Sequence, residues 1–166
     1  MFVTDISNAK SLSTEELRVA RAALQMQEDV ISFVRRMAQG RCDLARDEQR
    51  RRVDGTPASG ISVADIANVF SQEHGGGSSR PPREPNISTE HPLVVELEKI
   101  CQEISFGEMR TLDDQSLETV VERLSSFESS QSVERKTLFA SIDALTTELV
   151  KRYKDGGLNV DSLLAD

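Results

Sequence analysis

From Leu12 to Arg52 apolar residues return at helical spacing, Leu17, Ala20, Leu24, Ile31, Val34, Ala38 and Ala45, and no proline interrupts them. Ser13 or Thr14 stands as a cap ahead of Glu15 and Glu16, acids that favour a first turn. The pattern predicts a long helix over 12–52, preceded by an N-terminal arm, 1–11. A second start signal, Asp113 or Asp114, precedes Leu117, Val120, Leu124 and Phe127 and predicts another long helix over 112–153. "KDGG", from Lys154 to Gly157, is expected to close it with a glycine cap, leaving 154–166 as a short tail.

The chain between the long helices has a different character. Gly75, Gly76 and Gly77 are followed by Pro81, Pro82, Pro85 and Pro92, so 53–92 reads as a linker. Within it "SVADIANVFSQE" has a capping Ser62 and apolar Val63, Ile66 and Val69, enough for a short amphipathic helix over 62–73. Residues 93–111 read as a second short helix and a loop, with Val94, Leu97, Ile100 and Cys101 on the apolar face.

Sliding the chain against itself by 100 residues, without a gap, pairs Leu12, Leu17 and Leu24 with Leu112, Leu117 and Leu124. The same shift pairs Glu28, Ser32, Arg35, Asp43, Glu48 and Arg52 with Glu128, Ser132, Arg135, Asp143, Glu148 and Arg152. Two copies of one helical unit, each with a narrow apolar stripe, are expected to pack as an antiparallel two-helix coiled-coil hairpin with a local two-fold axis. Composition agrees: with 37% hydrophobic and 4% aromatic residues, no Trp and one Tyr, the chain suits a helical seam better than a thick core. The predicted fold is all-α, a hairpin with short additional helices and a flexible linker.

In the first copy Glu28, Ser32, Arg35, Gln39 and Asp43 fall within about 80° of arc and ~22 Å of helix length, away from the seam. Taken singly, such neighbours are ordinary solvated pairs worth a few tenths of a kcal/mol. Their return as Glu128, Ser132, Arg135 and Asp143 is not explained by helix stability. The chemistry fits guanine: Arg donates a fork to O6 and N7, and a carboxylate accepts from N1 and N2. Ser, Gln and the adjacent Arg36 or Lys136 reach phosphate or ribose oxygens.

A net charge of -8 argues against binding nucleic-acid backbones and predicts no direct DNA binding. The basic run Arg46–Arg52 offers either a phosphate patch or cations placed for a helix C-terminus. Cys42 and Cys101, without a CxxC or Cys/His cluster, read as reduced thiols. The N-terminus lacks a signal-peptide pattern and no apolar run approaches the ~20 residues of a membrane span, so a cytoplasmic protein without membrane contact is expected. No nucleophile–base pair or metal-ligand spacing points to an enzyme. The rival to nucleotide binding is a structural coiled-coil protein that dimerises or tethers.

The motif E-x-x-x-S-x-x-R-x-x-x-Q-x-x-x-D on two helices resembles the signature of the RsiG-type anti-sigma factors of actinobacteria. "SFVRRMAQGRCDLA" and "RYKDGGLNVDSLL" are similar to the family as well. Glu28, Ser32, Arg35, Gln39 and Asp43 match at every position, whereas Phe139 replaces the glutamine of the second copy. Phe139 then either packs on a base face or joins the seam with Leu138 and Ile142. The resemblance implies that the protein binds one or two molecules of cyclic di-GMP on the coiled coil. In that state it sequesters a WhiG-type, flagellar-like sigma factor and silences its regulon. Val30, Phe33, Met37 and Leu44 form an extra apolar flank on the first helix, either for the sigma factor or for the short helix over 62–73.

Overall fold

A computed structural model describes residues 9–55 and 87–155. The expected short helix over 62–73 and the two glycines of the "KDGG" cap lie outside the described residues. The described elements are α1 (Thr14–Val53), α2 (Pro92–Glu103), a 3₁₀ turn (Phe106–Glu108) and α3 (Asp114–Asp155). The fold is therefore all-α, with the long helices α1 and α3 packed against each other.

The helix starts follow from their caps. Glu16 N–H donates to Ser13 Oγ at 3.2 Å and Ser13 N–H donates to Glu16 Oε2 at 2.6 Å, a reciprocal capping box that chooses Ser13 over Thr14. At the head of α3, Ser116 N–H donates to Asp113 Oδ1 at 2.7 Å, which chooses Asp113 over Asp114. Both carboxyls sit below the usual carboxylate range, chiefly because backbone N–H groups donate to them. α2 begins one residue earlier than expected, since His91 Nδ1 accepts from Leu93 N–H at 3.2 Å and Pro92 fits a first-turn position. α1 ends where Gly55 takes a φ of 65° and its N–H donates to Arg52 O at 3.2 Å.

The described residues form two compact units, and α1 and α3 run through both. The terminal unit joins residues 9–29 to 133–155. Its core is Ala9, Leu17, Leu24, Ile142, Leu145 and Leu149, with Leu12, Ala20, Leu138 and Tyr153 packed around it. The helices are antiparallel here, since Arg18 near the start of α1 donates to Tyr153 Oη near the end of α3 at 2.9 Å.

The central unit contains 30–55 and 87–132. Val34, Ala38, Cys42 and Ala45 of α1 meet Leu117, Val120, Leu124 and Phe127 of α3 and Val94, Leu97 and Cys101 of α2. Again the direction is antiparallel, for Arg35 pairs with Glu128 while Arg52 pairs with Asp114. The flank Val30, Phe33, Met37 and Leu44 is half-buried against this core. Nearby, Arg41 donates to Cys101 Sγ at 3.0 Å and lies 5.9 Å from the Phe106 ring. Much of the flank's apolar surface is thus already used within the unit. Both cysteines are free and buried, and burial pushes both thiols up.

The basic run is neutralised locally. Arg46 pairs with Asp43 at 3.2 Å, Arg50 with Asp47, Arg51 with Glu48 at 2.6 Å and Arg52 with Glu48 at 2.9 Å. Arg50, Arg51 and Arg52 also occupy the last turn of α1, where cations oppose the helix dipole. The helix-terminus reading describes this run better than the phosphate patch does.

Candidate functional site

Residues of the two polar rows are joined both along each helix and by exchange between helices. In the central unit Arg35 of α1 donates from one terminal nitrogen to Glu128 Oε1 of α3 at 2.9 Å and to Gln39 Oε1 at 3.0 Å. Ser132 Oγ donates to the same Glu128 oxygen at 3.0 Å. In the terminal unit the roles are reversed, and Arg135 of α3 donates from Nε to Glu28 Oε1 of α1 at 2.8 Å. Each arginine therefore meets the glutamate of the other motif copy. Because both copies share one repeat offset, the antiparallel register that makes one of these pairs makes the other.

Surroundings differ between the two pairs. Arg35 and Glu128 line a cavity of about 190 Å³ together with Gln39, Cys42, Arg46 and Ser125. Their side chains are only 20% and 24% exposed, so the pair is partly withdrawn from water, where charge-assisted bonds strengthen. Arg35 Nε is buried without a hydrogen-bond partner among the described residues, a donor whose desolvation is uncompensated. Asp43 is half-buried and accepts from Arg46. Ser32 is half-buried, and Arg36 is exposed.

In the terminal unit Arg135 lies over the ring of Phe139, 4.7 Å from its centroid. Phe139 is 39% exposed and stands apart from the core of its unit, which excludes the seam reading. Its neighbours in the row, Lys136 and Asp143, are exposed.

Sequence reasoning did not single out Cys42, Arg46 and Ser125 as cavity lining. Each stands three residues, about one helical turn, from a motif residue: Cys42 after Gln39, Arg46 after Asp43 and Ser125 before Glu128. Helical neighbour spacing was the signal available.

An arginine fork beside a carboxylate is able to bind a donor–acceptor edge. Residues 4–69 match the family model described as RsiG-like, consistent with an RsiG-type anti-sigma factor. That span contains the complete first motif copy. No curated protein matches the chain. Among the described residues no helix is long and apolar enough to cross a membrane.

Proposed function

We propose that the protein binds cyclic di-GMP through its two Arg–carboxylate pairs and, with the nucleotide bound, sequesters a WhiG-type sigma factor in the cytoplasm. The carrying observation is the exchange of partners, Arg35 with Glu128 and Arg135 with Glu28. Each unit thereby holds, already side by side, the donor and the acceptor that a guanine edge requires.

A guanine entering the central unit would take the Arg35 fork on O6 and N7 while offering its N1 and N2 protons to Glu128. The base replaces a direct ion pair with two sets of charge-assisted hydrogen bonds and leaves neither charge unpaired. Gln39, Ser132 and Asp43 would meet the remaining polar edges and Arg36 the phosphate, and Lys136 would serve a phosphate in the terminal unit. Moving Arg35 toward a ligand also releases Nε from its unpaired burial.

Isothermal titration with cyclic di-GMP, cyclic di-AMP and GTP tests the reading, and its stoichiometry counts the molecules bound. Saturable binding of cyclic di-GMP with neither rival binding comparably is the expected result. Equal or absent binding of all three would reject guanine-specific recognition and return the protein to the structural alternative.

A further inference from the structure

Gln39 and Phe139 hold the same place in the repeat, one turn after the motif arginine, yet share no chemistry. Gln39 steadies Arg35 with a carbonyl oxygen, accepting at 3.0 Å. Phe139 has no acceptor to offer, and the Arg135 guanidinium lies 4.7 Å from its ring centroid while Nε donates to Glu28 at 2.8 Å. Leaving a phenylalanine 39% exposed forgoes part of its hydrophobic stabilisation, although Leu138 and Ile142 beside it pack into the core. The contact with Arg135 gives that exposed ring a role.

We propose that Phe139 is a positioning residue whose ring holds the Arg135 guanidinium against Glu28, keeping the terminal unit's Arg–carboxylate pair assembled without the glutamine. The proposal deepens the guanine-nucleotide reading and rests on it for the ligand. A planar guanidinium stacked on an aromatic face keeps its N–H groups in the plane, pointing outward to acceptors. An aromatic ring thus fixes the plane of the fork without occupying any of its donors, whereas a glutamine oxygen consumes one. The second motif copy is altered in chemistry while its arginine remains placed.

Two measurements test this. In the free protein the Hε resonance of Arg135 should be shifted upfield by the Phe139 ring current and return toward its ordinary position in Phe139→Ala; an unshifted resonance overturns the positioning role. By titration with cyclic di-GMP, Phe139→Ala should bind about two- to fivefold more weakly, the equilibrium change that a partly exposed cation–π contact carries. Phe139→Gln should recover the loss, and Phe139→Ala should have no further effect in an Arg135→Ala background. An equal loss in that background overturns the proposal, since the ring would then act on the base directly. Unchanged binding by Phe139→Ala overturns it too. A wild-type protein that binds no cyclic di-GMP rejects the guanine reading, and the Hε shift then decides the Phe139–Arg135 relationship alone.

Discussion

Arg52, in the last turn of α1, donates to the carbonyl oxygen of Met109, in the segment that leads into α3, at 3.0 Å. It also reaches Arg110 O at 3.3 Å, Asp114 at 2.8 Å and the buried Glu48 at 2.9 Å. Arg152 repeats the arrangement in the terminal unit, with Glu148 at 2.9 Å and the carbonyls of Ala9 and Lys10 both at 3.1 Å. The Glu–Arg pairs shared by the two copies are therefore clasps that tie the end of one long helix to the entry of the other.

Removing one clasp strands the Glu48 carboxylate and the Met109 carbonyl, whose bonds to Arg52 are part-buried. Arg52→Ala leaves carbonyls and Glu48 short of donors, and loss of such charge-assisted bonds costs about 1–3 kcal/mol. Urea denaturation should show the lower midpoint, and Arg152→Ala should cost a similar amount in the terminal unit. A neutral Arg52→Ala would mean that the clasp adds nothing to Arg51 and the packed helices.

Glu48 gives this clasp a pH dependence. Hydrogen bonds from Arg51 and then Arg52 outweigh the cost of burial and hold its carboxyl down at about 2. The folded pKa lies below the unfolded one, so the contribution is complete above the usual glutamate range, ~4.5, and fades as pH falls toward 2. Glu48→Gln should be less stable at neutral pH and should lose less stability than the wild type on acidification through that window. Parallel stability curves for the two proteins would contradict this.

Unequal surroundings predict unequal half-sites. Arg35 is 20% exposed and bonded to both Glu128 and Gln39, whereas Arg135 is 37% exposed and held by Glu28 and a ring face. An arginine fork to guanine is worth about 1–3 kcal/mol, with the stronger contribution expected where water is more excluded. Arg35→Ala should therefore weaken cyclic di-GMP binding more than Arg135→Ala. Equal losses by titration would assign the same weight to both units.

Much of this architecture was legible because periodicity and caps are local. Ser13, Asp113 and the seam residues Leu17, Leu24, Val34, Leu117 and Leu124 declare themselves within a few turns of chain, and each occupies its expected place. The partners of Arg35 and Arg135 were not legible in the same way. A helical stripe makes same-helix neighbours look nearest, whereas the actual pairing depends on the register between two helices far apart in sequence. Gln131 shows the same limit: it is the repeat partner of the buried Ile31, yet it is itself buried, with Oε1 lacking a partner among the described residues. Periodicity marks that position as seam but does not explain an amide there; its Nε2 donates to Ser130 Oγ at 3.3 Å, which leaves the buried oxygen uncompensated among the described residues.

The nucleotide and the sigma factor should bind with positive coupling. At a net charge of -8 the protein suits a partner whose basic, promoter-binding surfaces would otherwise meet DNA. A dianionic nucleotide adds to that negative charge, so its binding is opposed by long-range repulsion. A basic sigma surface closing over the bound nucleotide would relieve the repulsion, while the nucleotide would strengthen the field that attracts the sigma factor. Thermodynamic linkage then requires each ligand to tighten the other by the same factor. Co-purification with a WhiG-type sigma factor should accordingly succeed with cyclic di-GMP and fall off without it, and the dependence should weaken in Arg35→Ala. A complex indifferent to nucleotide would leave an anti-sigma factor without this switch, and no complex under either condition would reject the sigma-binding proposal itself. Raising the salt concentration separates the electrostatic part of the coupling from direct contact: exposed charges are screened beyond about 10 Å at 0.1 M, so the component carried by repulsion must shrink with added salt.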